Sequence, residues 1–142
     1  MKKLALALPV LLLGCDDATM VVVDNAYTDS TIVDAVWWSE TYVPDRVPAG
    51  QESPAYRTVP GSAIAYVVLE RDGNVFVAET ASPVSVERQD TLHVSISPAT
   101  IVGDCATSTL TQAQADFITQ SIFPGRFEGA IYDAATCKLA AP

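Results

Sequence analysis

A chain of 142 residues with 17 acidic and 8 basic side chains carries a formal charge of −9 at pH 7, a balance that repels nucleic acid and anionic lipid headgroups rather than seeking them. Its length suits one domain around one core, and no second domain is expected.

The chain opens on Lys2-Lys3, runs through apolar residues from Leu4 to Leu13, and reaches the small Gly14 shortly before Asp16 and Asp17. A basic start, an apolar stretch and a small residue at its end are the layout of a secretory signal. About ten apolar residues are too few to cross a hydrocarbon core, which takes roughly twenty, and a spanning helix would strand both aspartates in lipid. Within this segment Leu12-Leu13-Gly14-Cys15 resembles the lipobox of bacterial lipoproteins, with an aliphatic residue three before the cysteine and a small one directly before it. The resemblance covers the signal segment alone. It implies cleavage between Gly14 and Cys15, a thioether from Cys15 to diacylglycerol, a new amino group open to fatty acylation such as palmitate, and a domain held at a membrane of the cell envelope, outside the cytoplasm. A deprotonated thiol is the nucleophile such a linkage needs, and two acyl chains anchor stably where one does so only marginally. The competing readings are an ordinary signal peptide with an incidental Cys15, or a buried segment of a cytosolic fold. In enteric members of that family an aspartate at the next position is associated with inner-membrane retention, but the rule differs between bacterial groups, so Asp16 leaves the choice of membrane open.

Cleavage after Gly14 removes both lysines and leaves 128 residues with 6 basic and 17 acidic side chains, a formal charge of −11. Lipid, not charge, then holds the domain at the membrane. Three cysteines are an odd count for an exported protein, and the lipobox accounts for Cys15. Cys105 and Cys137 remain to pair as a disulfide in an oxidising compartment, closing a loop of about thirty residues. A metal site or a reactive thiol lacks support, since there is no CxxC and the one histidine is far from both in sequence.

Residues 15–19 form a lipidated cysteine and a tether, Asp16-Asp17-Ala18-Thr19, which extends to roughly 14 Å. From residue 20 to 142 a single β-rich domain is expected. Met20 to Asp24 opens it, and Thr31 to Ser39 follows with Ile32, Val36 and Trp38 on one face, shared by Asp34 and Glu40. Val43 to Pro54 holds three prolines and Gly50 and reads as a loop, after which Ala55 to Val59 is a short strand. Ala63 to Glu70 and Asn74 to Thr80 flank Arg71-Asp72-Gly73, whose Asp-Gly supplies the positive φ angles of a tight hairpin. Val84 to Arg88 and Thr91 to Ser97 come next, joined by Gln89-Asp90, with Leu92, Val94 and Ile96 inward and Thr91, His93, Ser95 and Ser97 outward. Thr111-Gln112-Ala113-Gln114 has the form of a capping box. It predicts a helix over about 111–123 that aligns Ala113, Phe117 and Ser121, sets Ile118 and Ile122 beside them, and stops at Pro124-Gly125. Phe127 to Tyr132 adds a strand before Cys137. About seven strands in sequence make the fold mainly β, an antiparallel sandwich or open barrel, with the expectation set on an antiparallel β-sandwich, Ig-like or transthyretin-like, with one C-terminal helix. The stretch with Gly50, Ser53, Tyr56 and Val59-Pro60 also resembles a loop-and-strand pattern of small β-sandwich domains in exported bacterial proteins, which bears on fold class only.

His93 is the one histidine and sits on a polar strand face beside Ser95 and Ser97, where a solvated side chain belongs. There is no Gly-x-Ser-x-Gly, no HExxH and no phosphate-cradling glycine loop, so no enzyme, cofactor or metal is expected. Asp24, Asp29 and Asp34 recur every five positions, a spacing no strand or EF-hand loop turns into a ligand set. Trp37-Trp38 is the most distinctive pair, because adjacent strand residues point to opposite faces and only one can enter a single core. The other is either covered by the proline-rich loop or, with Tyr42, a surface for a sugar or a protein contact. The expectation is a non-catalytic, lipid-anchored envelope lipoprotein with a structural or protein-interaction role and no nucleic-acid partner. A glycan-binding lipoprotein using Trp37, Trp38 and Tyr42 is the alternative.

Overall fold

The structure, a computed structural model, describes residues 18–37, 41–43 and 45–140, with Tyr42 described by its backbone alone. Twelve short strands and one helix near the C-terminus are found among the described residues, so the chain is mainly β, with several antiparallel sheets. The largest sheet runs in the order β11 (Ile131–Asp133), β12 (Lys138–Ala140), β7 (Asn74–Thr80), β6 (Ala65–Arg71), β2 (Thr31–Trp37) and β3 (Thr41–Val43), and β10 (Ile101–Val102) also pairs with β7. A second sheet places β1 (Met20–Asn25) between β4 (Tyr56–Arg57) and β9 (Thr91–Ile96), and a third pairs β5 (Gly61–Ala63) with β8 (Val84–Val86).

The hairpin is where the Asp-Gly dipeptide places it. Arg71 pairs with Asn74 across a two-residue loop in which Asp72 and Gly73 take φ of 52° and 74°, the left-handed pair that matches the twist of the flanking strands. The expected strand Ala63 to Glu70 divides: Gly61–Ala63 pairs with β8 and Ala65–Arg71 with β2 and β7. The adjacent segments β8 and β9 do not pair with each other. β9 instead lies parallel to β1, Met20 opposite Thr91 through Asn25 opposite Ile96, the one departure from antiparallel pairing. Its alternation is as expected, with Val94 and Ile96 buried and Thr91, His93 and Ser95 exposed.

A β-bulge changes the reading of β2. Ile32 faces Leu69 and Asp34 faces Val68, so Val33 is an extra residue, and the side chains after it change sides relative to a regular strand. Ile32 therefore shares a face with Ala35 and Trp37, whereas Asp34 and Val36 lie on the other; the expected grouping of Ile32 with Val36 does not hold. Both faces are covered. Trp37 packs with Ala65 and Val86, against partly buried Val84 and Leu92, on the side of the smaller sheets. The cross-strand partner of Val36, Tyr66, meets the helix residue Phe117 edge to face at 5.9 Å.

The helix starts as its capping box directs. Gln114 N donates to Thr111 Oγ1 at 3.2 Å and Thr111 N to Gln114 Oε1 at 2.9 Å. It is α-helical over α1 (Gln112–Phe117), then widens into a π-helical turn over Ile118–Ile122, where Phe123 N donates to Ile118 O. Ala115, Ile118 and Phe123 are buried and Ile122 partly so, while Ala113, Phe117 and Ser121 are exposed. The buried stripe thus follows the i, i+3, i+7 spacing from Ala115 rather than the line through Ala113. The return strand is Ile131–Asp133 rather than Phe127 to Tyr132, and it is followed by β12, which the sequence reading did not include.

Gly103 joins β10 to the disulfide loop at φ +122°, where a Cβ would lie 2.7 Å from Val77 O and 2.9 Å from Leu110 Cγ. Backbone strain and overpacking act together there. Gly103→Ala is expected to cost about 2–4 kcal/mol, read as a lower urea midpoint with an unchanged slope.

Candidate functional site

Gly14 and Cys15, the expected cleavage and lipidation residues, lie outside the described residues. β1 begins at Met20, five positions after Cys15. Cys105 and Cys137 form a disulfide, with Cα atoms 5.6 Å apart and a sequence separation of 32. Cys105 follows β10 and Cys137 closes the turn before β12, so the bond ties the loop after Gly103 to the last hairpin. Both half-cystines take left-handed backbone conformations, φ 59° and 54°, which disfavour any side chain with a Cβ by about 1–2 kcal/mol. Cysteine stands there because the crosslink outweighs the local cost.

Of the two alternatives for the tryptophan pair, Trp37 takes the core position. That ring is 3% exposed and its Nε1 donates to Ala63 O at 3.3 Å. The bulge gives β2 two covered faces, so Trp37 is core, packed with Ala63, Ala65, Val84, Val86 and Leu92. Trp38 lies outside the described residues, as does the side chain of Tyr42. His93 is exposed, with Nδ1 3.3 Å from Glu52 Oε1, and among the described residues no serine or threonine hydroxyl is hydrogen-bonded to it. The described residues contain no group of three or more histidine, cysteine or acidic side chains placed to hold a metal ion. A cavity of about 590 Å³ between the helix and β11 is lined by Asp116, Thr119, Phe127, Glu128, Tyr132 and Leu139 among others. The Thr119 hydroxyl in its wall donates to Ala115 O at 2.9 Å.

Charged groups are built into the interior at two places, the first around Arg71 and Asp104. Arg71, the last residue of β6, lays its guanidinium 4.9 Å from the Phe76 ring centre and 5.8 Å from that of Tyr27. Its Nε donates to Ser30 Oγ at 2.9 Å and lies 3.7 Å from Asp29 Oδ2. The Tyr27 hydroxyl donates to Oδ2 of buried Asp104, whose Oδ1 accepts from Ala106 N. Buried Asn25 supports this group from below: its Nδ2 donates to Ser30 O and Val47 O, and its Oδ1 accepts from Tyr27 N. The network joins residues 77 positions apart and fixes the loop that carries Cys105. These contacts tie the cluster's groups to one another, apart from Arg71 Nη2, which is buried with no hydrogen-bond partner. The second buried charge is Asp34, paired with Arg126 Nη1 at 2.5 Å.

Burial holds the Tyr27 phenol far above its usual range, and the bond to Asp104 adds to the shift. Tyr66 and Tyr132 are also raised, first by burial. A phenol whose folded pKa exceeds its unfolded value stabilises the fold fully below the unfolded pKa of about 10, and that contribution is lost as pH climbs above it. Tyr27 is therefore expected to ionise only with unfolding. An absorbance titration at alkaline pH should show a late, cooperative step that coincides with loss of the β signal by circular dichroism, and the step should shrink in Tyr27→Phe.

No protein-family model, no curated protein and no solved structure matches this chain, so its function is argued from its own residues.

Proposed function

We propose that the chain is a lipid-anchored, non-catalytic protein of the bacterial cell envelope, with a structural or protein-interaction role at the membrane surface. The observation that carries this reading is Leu12-Leu13-Gly14-Cys15, placed directly after a ten-residue apolar run with a basic start. Cysteine use supports it: Cys105 and Cys137 are bonded to each other, which leaves Cys15 as the one cysteine outside the disulfide. The tether supports the role assigned. Four residues separate Cys15 from Met20, the first residue of β1, so the domain works within roughly 14 Å of its anchor. A glycan-binding role through Trp37 is not retained, because that ring is core.

The test is metabolic labelling with a radiolabelled or clickable palmitate. The native chain is expected to incorporate label and sediment with membranes, and Cys15→Ala to lose both. Undiminished labelling of Cys15→Ala contradicts the reading.

A further inference from the structure

We propose that the cleft between β8 and β9 is a docking site for an extended, non-acidic segment of a partner polypeptide, which adds to the free edge of β9 as a further strand. The proposal deepens the interaction role above and rests on that reading for its setting, not for its geometry.

The parallel pairing with β1 uses only one edge of β9. Met20 N donates to Asp90 O and Ala26 N to Ile96 O, so the even-numbered residues of this parallel pair face β1. The odd-numbered residues face away. At the two ends of that outer edge the chain supplies its own partners: Thr91 N donates to Asp90 Oδ1, Ser97 N to Thr100 Oγ1, and Ser95 O accepts from the Thr100 hydroxyl. Between them the N–H and C=O of His93 and the N–H of Ser95 have no partner among the described residues, since β9 pairs with β1 alone.

That open stretch does not face bulk solvent as a flat edge. It borders a cleft of about 410 Å³ whose opposite wall is Pro83, Val84 and Ser85, where β8 pairs with β5 alone. Two strand edges left unpartnered on the cleft side therefore form its walls. Leu92 and Val94 give the inner part of the cleft an apolar lining, whereas His93, Ser95 and Ser85 are exposed at its mouth. An extended chain alternates its side chains, so it places apolar residues against Leu92, Val94 and Val84 and polar ones at the mouth. Main-chain hydrogen bonds to His93 and Ser95 give the affinity. Acidic groups border the open edge, Glu52 with Oε1 3.3 Å from His93 Nδ1 and Asp90 with Oδ1 accepting from Thr91 N, which disfavours an acidic segment and favours a neutral or basic one. Thr91, at one end of the edge, lies opposite Met20, the first strand residue after the tether, so the cleft opens close to the anchor.

The probe is a synthetic peptide of about eight residues that alternates valine with serine or threonine between terminal lysines. Its control carries N-methyl groups on alternate amides. Added to the isotope-labelled full mature chain, the peptide is expected to give saturable shifts of the His93 and Ser95 amides and to slow their hydrogen exchange. The methylated control should leave both unchanged. Ser95→Pro removes an outward N–H that the β1 pairing does not use, and Ala99→Arg fills the cleft from an exposed position. Each is expected to weaken binding about tenfold or more, equivalent to at least one lost hydrogen bond, with β1 amide shifts unaltered. No saturable shift in β9, equal binding of the methylated peptide, or binding untouched by both variants overturns the proposal. Shifts that depend on protein concentration without peptide would assign the edge to a second copy of this chain and overturn it as well. Binding is read whether or not Cys15 carries lipid, so failure of the cleft and failure of the anchor are separate results.

Discussion

Replacing Cys105 and Cys137 together by serine is expected to destabilise the fold by about 3–4 kcal/mol and to lower its thermal midpoint by roughly 10–15 °C. The value follows from the chain entropy of a loop whose ends are 32 positions apart, and it is a large part of the roughly 5–15 kcal/mol typical of a domain. Position makes the loss local as well as global. The bond fixes the loop after Gly103 and the last hairpin, and that hairpin supplies Tyr132, whose hydroxyl accepts from Leu110 N at 3.2 Å. Both cysteines occupy left-handed backbone positions, so serine keeps the backbone cost while losing the crosslink. Cys105→Gly with Cys137→Gly is therefore expected to be less destabilising than the serine pair, by about 1–2 kcal/mol in total for the strain relieved after offset by glycine's added chain entropy. Differential scanning calorimetry of the two double variants gives the comparison. Serine variants as stable as the native chain would show that the bond carries no part of the fold.

Arg126→Ala is expected to be the most damaging single change at an ion pair. Asp34 has a side chain 2% exposed and Arg126 one 40% exposed. Removing the cation leaves a buried carboxylate without its counterion, which in a fully dry pair costs roughly 3–5 kcal/mol. Water reaches the arginine side here, so about 1–3 kcal/mol is expected. The double variant Asp34→Leu with Arg126→Ala should recover most of the loss, because it removes the buried charge along with its partner. A chemical-denaturation cycle over the four proteins measures this directly, and a cost for the double variant equal to the sum of the two single costs would show that the pair is not coupled.

Local chemistry was readable from the residues, and long-range pairing was not. Asp72-Gly73 specifies its hairpin because a type I′ turn needs two positive φ angles, and Thr111 with Gln114 specifies the helix start because the orphan amides there need acceptors. The alternation in Thr91–Ile96 identifies a strand with one buried face. It cannot identify β1 as the partner, since a strand pattern records burial and not which edge completes it. The same limit hid the pairing of Gly61–Ala63 with Val84–Val86. At β2 one inserted residue, Val33, changed the faces of everything after it, which moved Trp37 from a candidate surface into the core and placed Asp34 opposite Arg126. Nothing in a two-residue period marks such an insertion. The Arg71 cluster was hidden for another reason: Tyr27, Arg71 and Asp104 come from three distant segments, and each looks like an ordinary polar residue alone. The disulfide was legible because cysteine parity constrains it without any knowledge of the fold.

In the function proposed, Cys15 carries lipid while Cys105 and Cys137 pair. Intact-mass and peptide mass spectrometry of the protein purified from membranes tests both halves at once. The expected product is a chain that begins at Cys15, bears diacylglycerol on its sulfur, and yields two alkylatable thiols only after reduction, at positions 105 and 137. A chain that retains residues 1–14, an unmodified Cys15, or free thiols at 105 and 137 before reduction would contradict it.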